Sequence, residues 1–239
     1  MLRSKMKIKG ILFDKDGTLF RYSETWDTWC GIVLEKLSQG NGTLLEHLAN
    51  VLDFDLKSQK IRPQSIVVAS TTYEVAECLG PFLPNWSLDA IEGLLNKKVN
   101  DLPLTSVTPL KPYFSDLRRR GLKVGVVTND SEDNAMAQLA SANLNPLEDL
   151  DFVAGYDSGF GAKPAPEPLL AFAKAVWLAP GDVAMVGDSL HDLTAGRRAG
   201  MKTIGVLTGL ATWADLSPIA DVVLRDITLI PVNLNNAVD

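Results

Sequence analysis

From Leu122 onward, short runs rich in β-branched residues alternate with helix-like stretches, and this alternation narrows the choice of architecture more than any other feature. Leu122-Lys123-Val124-Gly125-Val126-Val127-Thr128 has the composition of a buried strand. Ser131 suits a helix N-cap, with a small-residue helix expected over Asn134 to Ala142. Phe152 to Ala154, Val183 to Val186, Thr203 to Leu207 and Asp221 to Leu224 fit further strands. Helices are expected between them over Pro168 to Trp177 and Leu190 to Ala199, the second ended by Gly200. Repeated strand–helix–strand units imply a mostly parallel sheet with right-handed crossovers. The expected fold class is therefore α/β, with a Rossmann-like core sheet.

The rhythm fails between residues 21 and 105. Helical patterns cover Thr25 to Leu37, Thr43 to Leu52, Thr71 to Leu79 and Ser87 to Val99. Asn41-Gly42, Gly80-Pro81 and Pro84-Asn85 punctuate them, and Ile66-Val67-Val68-Ala69 fits a strand or a helix start equally. A first strand, Lys7 to Phe13, precedes this region, and the sheet resumes after Pro109. Two units are expected: an α/β core from residues 1–20 and 106–239, and a helical insert over 21–105.

Composition bounds the function. The 239 residues suffice for a sizeable core. A net charge of −6 argues against a general nucleic-acid binder, which usually presents a basic face. Cys30 and Cys78 lack metal-ligand spacing and are expected as buried free thiols. His47 and His191 are too few for a His-rich zinc site. The apolar run Ile11 to Phe13 is too short for a signal-peptide core or a membrane span, so a cytoplasmic enzyme with no membrane partner is expected.

In open parallel sheets, ligands bind beyond the carboxyl ends of the strands. Four segments there are polar: Asp14-Lys15-Asp16-Gly17-Thr18, Thr128-Asn129-Asp130, Lys163-Pro164, and Gly187-Asp188-Ser189-Leu190-His191-Asp192. Each alone is ordinary, as a turn, a loop opening or a helix cap. Four in this order on one sheet edge are not. Carboxylates brought together repel unless a cation joins them, and hard oxygen donors select Mg²⁺, which favours substrate phosphate as a further ligand. Gly17 permits an unusual backbone angle between Asp16 and the rest of the loop. Thr128 and Asn129 can donate to anionic oxygens. Lys15, between the two aspartates, is expected to turn away from them. His191 is expected to face solvent.

These four segments, in order, resemble the motifs of phosphatases of the haloacid dehalogenase superfamily, and the form Asp14-Lys15-Asp16 is most similar to its phosphoglycolate phosphatase-like branch. The resemblance implies that the insert is an α-helical cap. It also implies that Asp14 is the nucleophile, passing through an aspartyl-phosphate, and that Asp16 is general acid and then base. Thr128, the Asn129 backbone and Lys163 would hold the phosphoryl group, with Lys163 also neutralising charge near the nucleophile. Asp14, Asp16 (through its carbonyl), Asp188 and Asp192 would bind Mg²⁺. The implied activity is hydrolysis of a small phosphorylated metabolite, phosphoglycolate-like or a sugar phosphate. A phosphomutase on the same core, or a phospho-ligand-binding module without turnover, are the alternatives. An acid at position 16 suits ester cleavage, since a departing halide needs no proton. A phosphoglycolate carboxylate would call for a cap cation, for which Arg21, Lys57, Lys60, Arg62, Lys97 and Lys98 are the candidates. Trp26 and Trp29, three apart, fit either a cavity entrance or a helix packing face.

Overall fold

A computed structural model of the protein describes residues 8–99, 102 and 104–230. Six parallel strands form the core sheet. They are β1 (Gly10–Phe13), β4 (Lys123–Val127), β5 (Phe152–Ala154), β6 (Val183–Gly187), β7 (Lys202–Val206) and β8 (Val222–Leu224), in the order β5-β4-β1-β6-β7-β8. The chain inserts β1 between β4 and β6, so Phe13 sits in register with both Val126 and Val186. The next residues of all three strands therefore emerge together at one sheet edge. The expected first residue of that opening strand, Lys7, lies outside the described residues.

The strands are buried on both faces, which is why they are continuously apolar rather than alternating. Ile11 and Phe13 face one cluster with Val124, Val126 and Val186, while Leu12 faces a second with Val127, Met185 and Phe172. Helices α5 (Leu110–Arg119), α6 (Glu132–Ser141), α8 (Glu167–Ala175) and α9 (Leu190–Arg198) supply the crossovers. On the first face, Phe114 of α5 meets Phe13 edge-on at 5.5 Å between ring centroids. Ser131 caps α6 by accepting from Asn134 N. Helix α5 and the single-turn helices α7 (Pro146–Asp149) and α10 (Trp213–Leu216) had no distinct sequence signal.

Between β1 and α5 the chain builds a separate helical insert from α1 (Tyr22–Ser38), α2 (Gly42–Val51), α3 (Thr72–Leu79) and α4 (Leu88–Val99). It has its own apolar cluster, in which α1 contributes Tyr22, Trp26, Trp29, Val33, Leu34 and Leu37 at helical spacing. Thr71 and Glu74 form a capping box at the start of α3. The ambiguous stretch resolves as a 3-10 turn, Ile66–Val68, because the Ser65 side chain accepts from Val67 N. A short hairpin, β2 (Phe54–Asp55) with β3 (Lys60–Ile61), was not foreseen; two residues per strand are too few to show alternation. Buried Asp27 ties it to α1 by accepting from Ile61 N and Lys60 Nζ, both at 2.8 Å. The two chain crossings into the insert lie side by side, with Arg21 N donating to Thr105 O at 2.9 Å. No described helix is long and apolar enough to cross a membrane.

Candidate active site

Asp14 follows β1 directly, and its N–H extends the ladder by donating to Val186 O at 2.8 Å. The chain then folds back on itself: Leu19 N and Phe20 N both donate to Lys15 O, and Gly17 N donates to Phe20 O. This turn needs Gly17, whose φ is +79° and whose Cβ, were there one, would lie 2.3 Å from Asp188. Gly209 abuts Asp188 more tightly still, at 1.6 Å for an added Cβ. Asp188 is thus walled in by backbone, and its Oδ1 accepts from Thr18 Oγ1 at 3.3 Å.

Asp14, Asp188 and Asp192 are all buried, and each offers an oxygen within 4.8 Å of the others. Lys163 reaches them from its own loop. Its Nζ pairs with Asp14, with Asp192 at 2.6 Å, and with the Val127 carbonyl at 3.1 Å. Burial pushes the Asp14 carboxyl up to about 7; Lys163 opposes that rise, while Asp192 and Asp16 add to it. Burial likewise raises Asp188 well above the usual carboxylate range, and Asp14 and Asp192 reinforce it. Burial works against the Lys163 charge, but Asp14 and Asp192 more than offset it and hold the ammonium above its ordinary value. Three converging buried carboxylates with one lysine leave excess negative charge, a donor set that fits a hard divalent cation.

Between the sheet edge and the insert lies a partly open cavity of about 50 Å³. Asp14, Asp16, Thr128, Asn129, Lys163, Asp188 and Asp192 all line it, so every site residue expected from the sequence comes to one place. The Asn129 side chain is engaged elsewhere: its Oδ1 accepts from Lys163 N at 2.9 Å, and its Nδ2 donates to Lys163 O and Ala69 O. Only the Asn129 backbone is left for a ligand. Asp192 is anchored in place: its Oδ2 accepts from Ser189 N and Oγ, and its Oδ1 meets Lys163.

Two expectations are overturned. Lys15 does not turn away from the aspartates: it is wholly buried, with Nζ 2.7 Å from Asp16 Oδ2 and 3.0 Å from Asp130 Oδ2, and it also donates to Gln138. Strand alternation does not apply because the chain has already left the sheet at Asp14. His191 is half-buried and lines the cavity, with Nδ1 3.1 Å from the Ala69 carbonyl of the insert. Asp130, the last residue of one polar strand end, had no role expected of it. It also accepts from Ser131 N and Asn134 Nδ2, and its partnership with a lysine 115 positions away leaves no local sequence signal.

The cation candidates fare differently from the acids. Arg21, Lys57 and Lys97 are exposed, Lys60 pairs with Asp27, and Arg62 pairs with Asp53 and Asp55. None lines the cavity, and the Lys98 side chain lies outside the described residues. Trp26 and Trp29 do both things expected of them: they pack in the insert cluster and line the cavity. Of the thiols, Cys30 is buried and Cys78 is only partly so.

The chain is 27% identical to pyrophosphatase PpaX of Bacillus pumilus over 184 residues, 67% of this chain and 84% of the relative. Its fold superposes with a TM-score of 0.71 on a predicted phosphoglycolate phosphatase from Haemophilus somnus, at 15% identity, covering 95% of this chain and 97% of the other. A β-phosphoglucomutase from Clostridium difficile gives a TM-score of 0.67 at 19% identity, covering 96% and 98%. At such identities these two likenesses speak for the fold. The decisive match is to the family model described as haloacid dehalogenase-like hydrolase, over residues 8–200, a span that contains all four polar strand ends and the insert between them. The protein with this parallel sheet and this buried acid cluster belongs to the haloacid dehalogenase-like hydrolases.

Proposed function

We propose that the protein is a Mg²⁺-dependent phosphatase acting on a small phosphomonoester through an aspartyl-phosphate. The observation that carries this reading is the Asp14 carboxylate: buried at the end of the central strand, paired with Lys163, and lining the cavity between the sheet edge and the insert. In this reading Asp14 Oδ attacks phosphorus as the ester P–O bond breaks, and Asp16 delivers its proton to the departing alkoxide oxygen. Asp16 then takes a proton from water, which attacks the phosphorus, releases inorganic phosphate and regenerates Asp14. Thr128 Oγ1, the Asn129 N–H and the Lys163 ammonium orient the phosphoryl oxygens and offset their charge. Asp14, Asp188, the Asp16 carbonyl and Asp192, directly or through water, would hold Mg²⁺. When bound, the ion offsets charge between nucleophile and phosphate.

In the same reading, residues 1–20 and 106–239 form the catalytic core, and 21–105 form a cap that excludes water from the cavity. The small cavity suits a metabolite rather than a drug-sized ligand, whose sites run to roughly 300–1,000 Å³. The free thiols of Cys30 and Cys78 are in keeping with a cytoplasmic location.

The test is release of inorganic phosphate from a panel of phosphorylated metabolites with Mg²⁺, using Asp14→Asn as control. Phosphate release by the wild type alone is expected. Isomerised sugar phosphate with little free phosphate would instead make the protein a mutase, and ligand binding without turnover would make it a binding module.

A further inference from the structure

Lys15 is wholly buried, and its ammonium joins three side chains. Its Nζ lies 2.7 Å from Asp16 Oδ2 and 3.0 Å from Asp130 Oδ2, and it donates to Gln138 Oε1. The last two partners are fixed to α6. Gln138 belongs to that helix, and Asp130 precedes it, with Oδ1 accepting from Ser131 N at 2.7 Å and Asn134 Nδ2 at 2.9 Å. At its own main chain, Lys15 O accepts from Leu19 N and Phe20 N. Lys15 is therefore held at both ends. Its brace is also tied to the loop that grips the phosphoryl group in the phosphatase reading, since Asp130 N donates to Thr128 Oγ1 at 3.1 Å.

The Asp16 carboxylate, by contrast, has one polar partner among the described residues, the Lys15 ammonium. Asp16 lines the cavity and keeps 14% of its side chain exposed, so it is gripped from the protein side and open on the other. An ammonium has donors only, so Oδ2 faces it as an acceptor, and a proton carried by this carboxyl sits on Oδ1. Repulsion from Asp14, two residues away, would turn an unheld Asp16 carboxylate away from the reacting centre. Stability alone does not call for a lysine here, because a buried group of ions is often matched or bettered by apolar side chains of the same volume.

We propose that Lys15 is a positioning residue for the leaving-group proton. Braced by Asp130 and Gln138, it holds Asp16 Oδ2 and leaves Oδ1 for the oxygen of the departing alcohol. As the P–O bond breaks, the Oδ1 proton passes to that oxygen, and the carboxylate left behind stays paired with Lys15. Water returns a proton to Asp16 when it attacks the aspartyl-phosphate. This role rests on the phosphatase reading and deepens it. Lys15 touches no reacting atom and acts only through Asp16.

Leaving groups that differ in their need for a proton test it. n-Propyl phosphate releases a strongly basic alkoxide, whereas p-nitrophenolate departs readily without a proton. With Mg²⁺, kcat/KM reports the steps up to loss of the alcohol, and the ratio of the two esters within one preparation cancels any loss of folded enzyme. Lys15→Met should lower kcat/KM for n-propyl phosphate about 10–100-fold more than for p-nitrophenyl phosphate, the scale of a misplaced reacting group. Gln138→Met removes one brace and keeps the bulk. Its Nε2 has no partner to lose, so the variant should fold, and the same ratio should fall by about 2–10-fold. In an Asp16→Asn background, adding Lys15→Met should change the ratio by less than about twofold, because the group it positions is gone. An unchanged ratio in Lys15→Met, or in Gln138→Met should Lys15→Met not fold, would overturn the positioning role. A further large fall in the Asp16→Asn background would overturn it as well. A wild-type ratio in Asp16→Asn itself would remove both the acid role of Asp16 and this inference, leaving Asp14 as nucleophile. No phosphate release by the wild type from either ester would overturn the phosphatase reading and this inference together.

Discussion

The sheet-edge wall of the cavity carries Asp14, Asp16, Lys163, Asp188 and Asp192, whereas the insert wall carries three aromatic rings and three valines. The first is a set of buried charges that balance one another only in part; the second is a neutral surface that continues an apolar core. The core wall is held by the sheet, since Asp14 and Asp188 follow neighbouring parallel strands in fixed register. The insert wall is held by helix packing, with Tyr22, Trp26 and Trp29 on one face of α1. The two walls touch through few polar contacts. Ala69 O accepts from Asn129 Nδ2 and faces His191 Nδ1, and the Tyr156 hydroxyl meets Thr72 and Glu92. This contrast teaches that one wall is built for a group that must be charged and the other for a group that need not be.

The contrast is tested most severely at Asp14. Asp14→Asn should abolish phosphate release to background, because no other described carboxylate pairs with Lys163 while following β1; single-turnover assays at high enzyme concentration check this. Asp16→Asn should lower kcat by roughly 10²–10⁴-fold, the usual contribution of one positioned acid–base group. The loss should shrink for an aryl phosphate, whose leaving oxygen needs little protonation. Equal losses for alkyl and aryl esters would remove Asp16 from that role.

Lys15→Met should unsettle the core wall from behind. It leaves Asp130 and Asp16 without their buried cation, a change that costs about 3–5 kcal/mol when one partner of a buried pair is lost. Chemical denaturation measures the loss. Val33→Ala, within the insert cluster, removes two buried methyl groups and should cost about 2–3 kcal/mol, and should leave kcat nearly unchanged. A large fall in kcat there would show that the insert wall does more than enclose.

The acid cluster also predicts how stability depends on pH. In the metal-free protein the folded-state Asp14 titrates at about 7 against an ordinary 3.8, and Asp188 is shifted the same way. The folded state thus holds protons that the unfolded chain has released, so these groups favour folding below pH 3.8 and that contribution is lost as pH rises towards 7. Their effect on thermal unfolding without metal should be a Tm that declines across this window, and added Mg²⁺ should reverse the decline at neutral pH. A Tm that rises over the window in the metal-free protein, and a Tm indifferent to Mg²⁺, would each contradict the buried-acid account. The smallest effect is expected at Tyr156→Phe, which removes the hydroxyl contacts to Thr72 and Glu92 between the walls; a change in KM of a few-fold, with kcat kept, is the outcome to look for.

Most of the parallel sheet was legible because buried parallel strands are short apolar runs that helices must separate, and β4 to β8 all show this. The insert was legible as an interruption with helical periodicity. The hairpin β2–β3 and the single-turn helices were not, since elements of two to four residues are too short to carry a period. Asp14, Asp16 and Asp188 were legible because each lies just beyond a strand end, where a parallel sheet puts its ligands, and Asp192 lies in the first turn of the helix that follows.

The sequence by itself therefore determined which residues meet: the order of strands and the polar group after each one is written locally, and topology does the rest. Only the tertiary structure decided what those residues face. That Lys15 turns inward to Asp16 and Asp130, that His191 and Asn129 meet the Ala69 carbonyl, and that the Trp26 N–H is left without an acceptor are all contacts between segments far apart in the chain. Local propensity carries no information about them. They follow from the way the helical insert and the sheet edge meet around one small cavity, where nearly every buried polar group finds a partner.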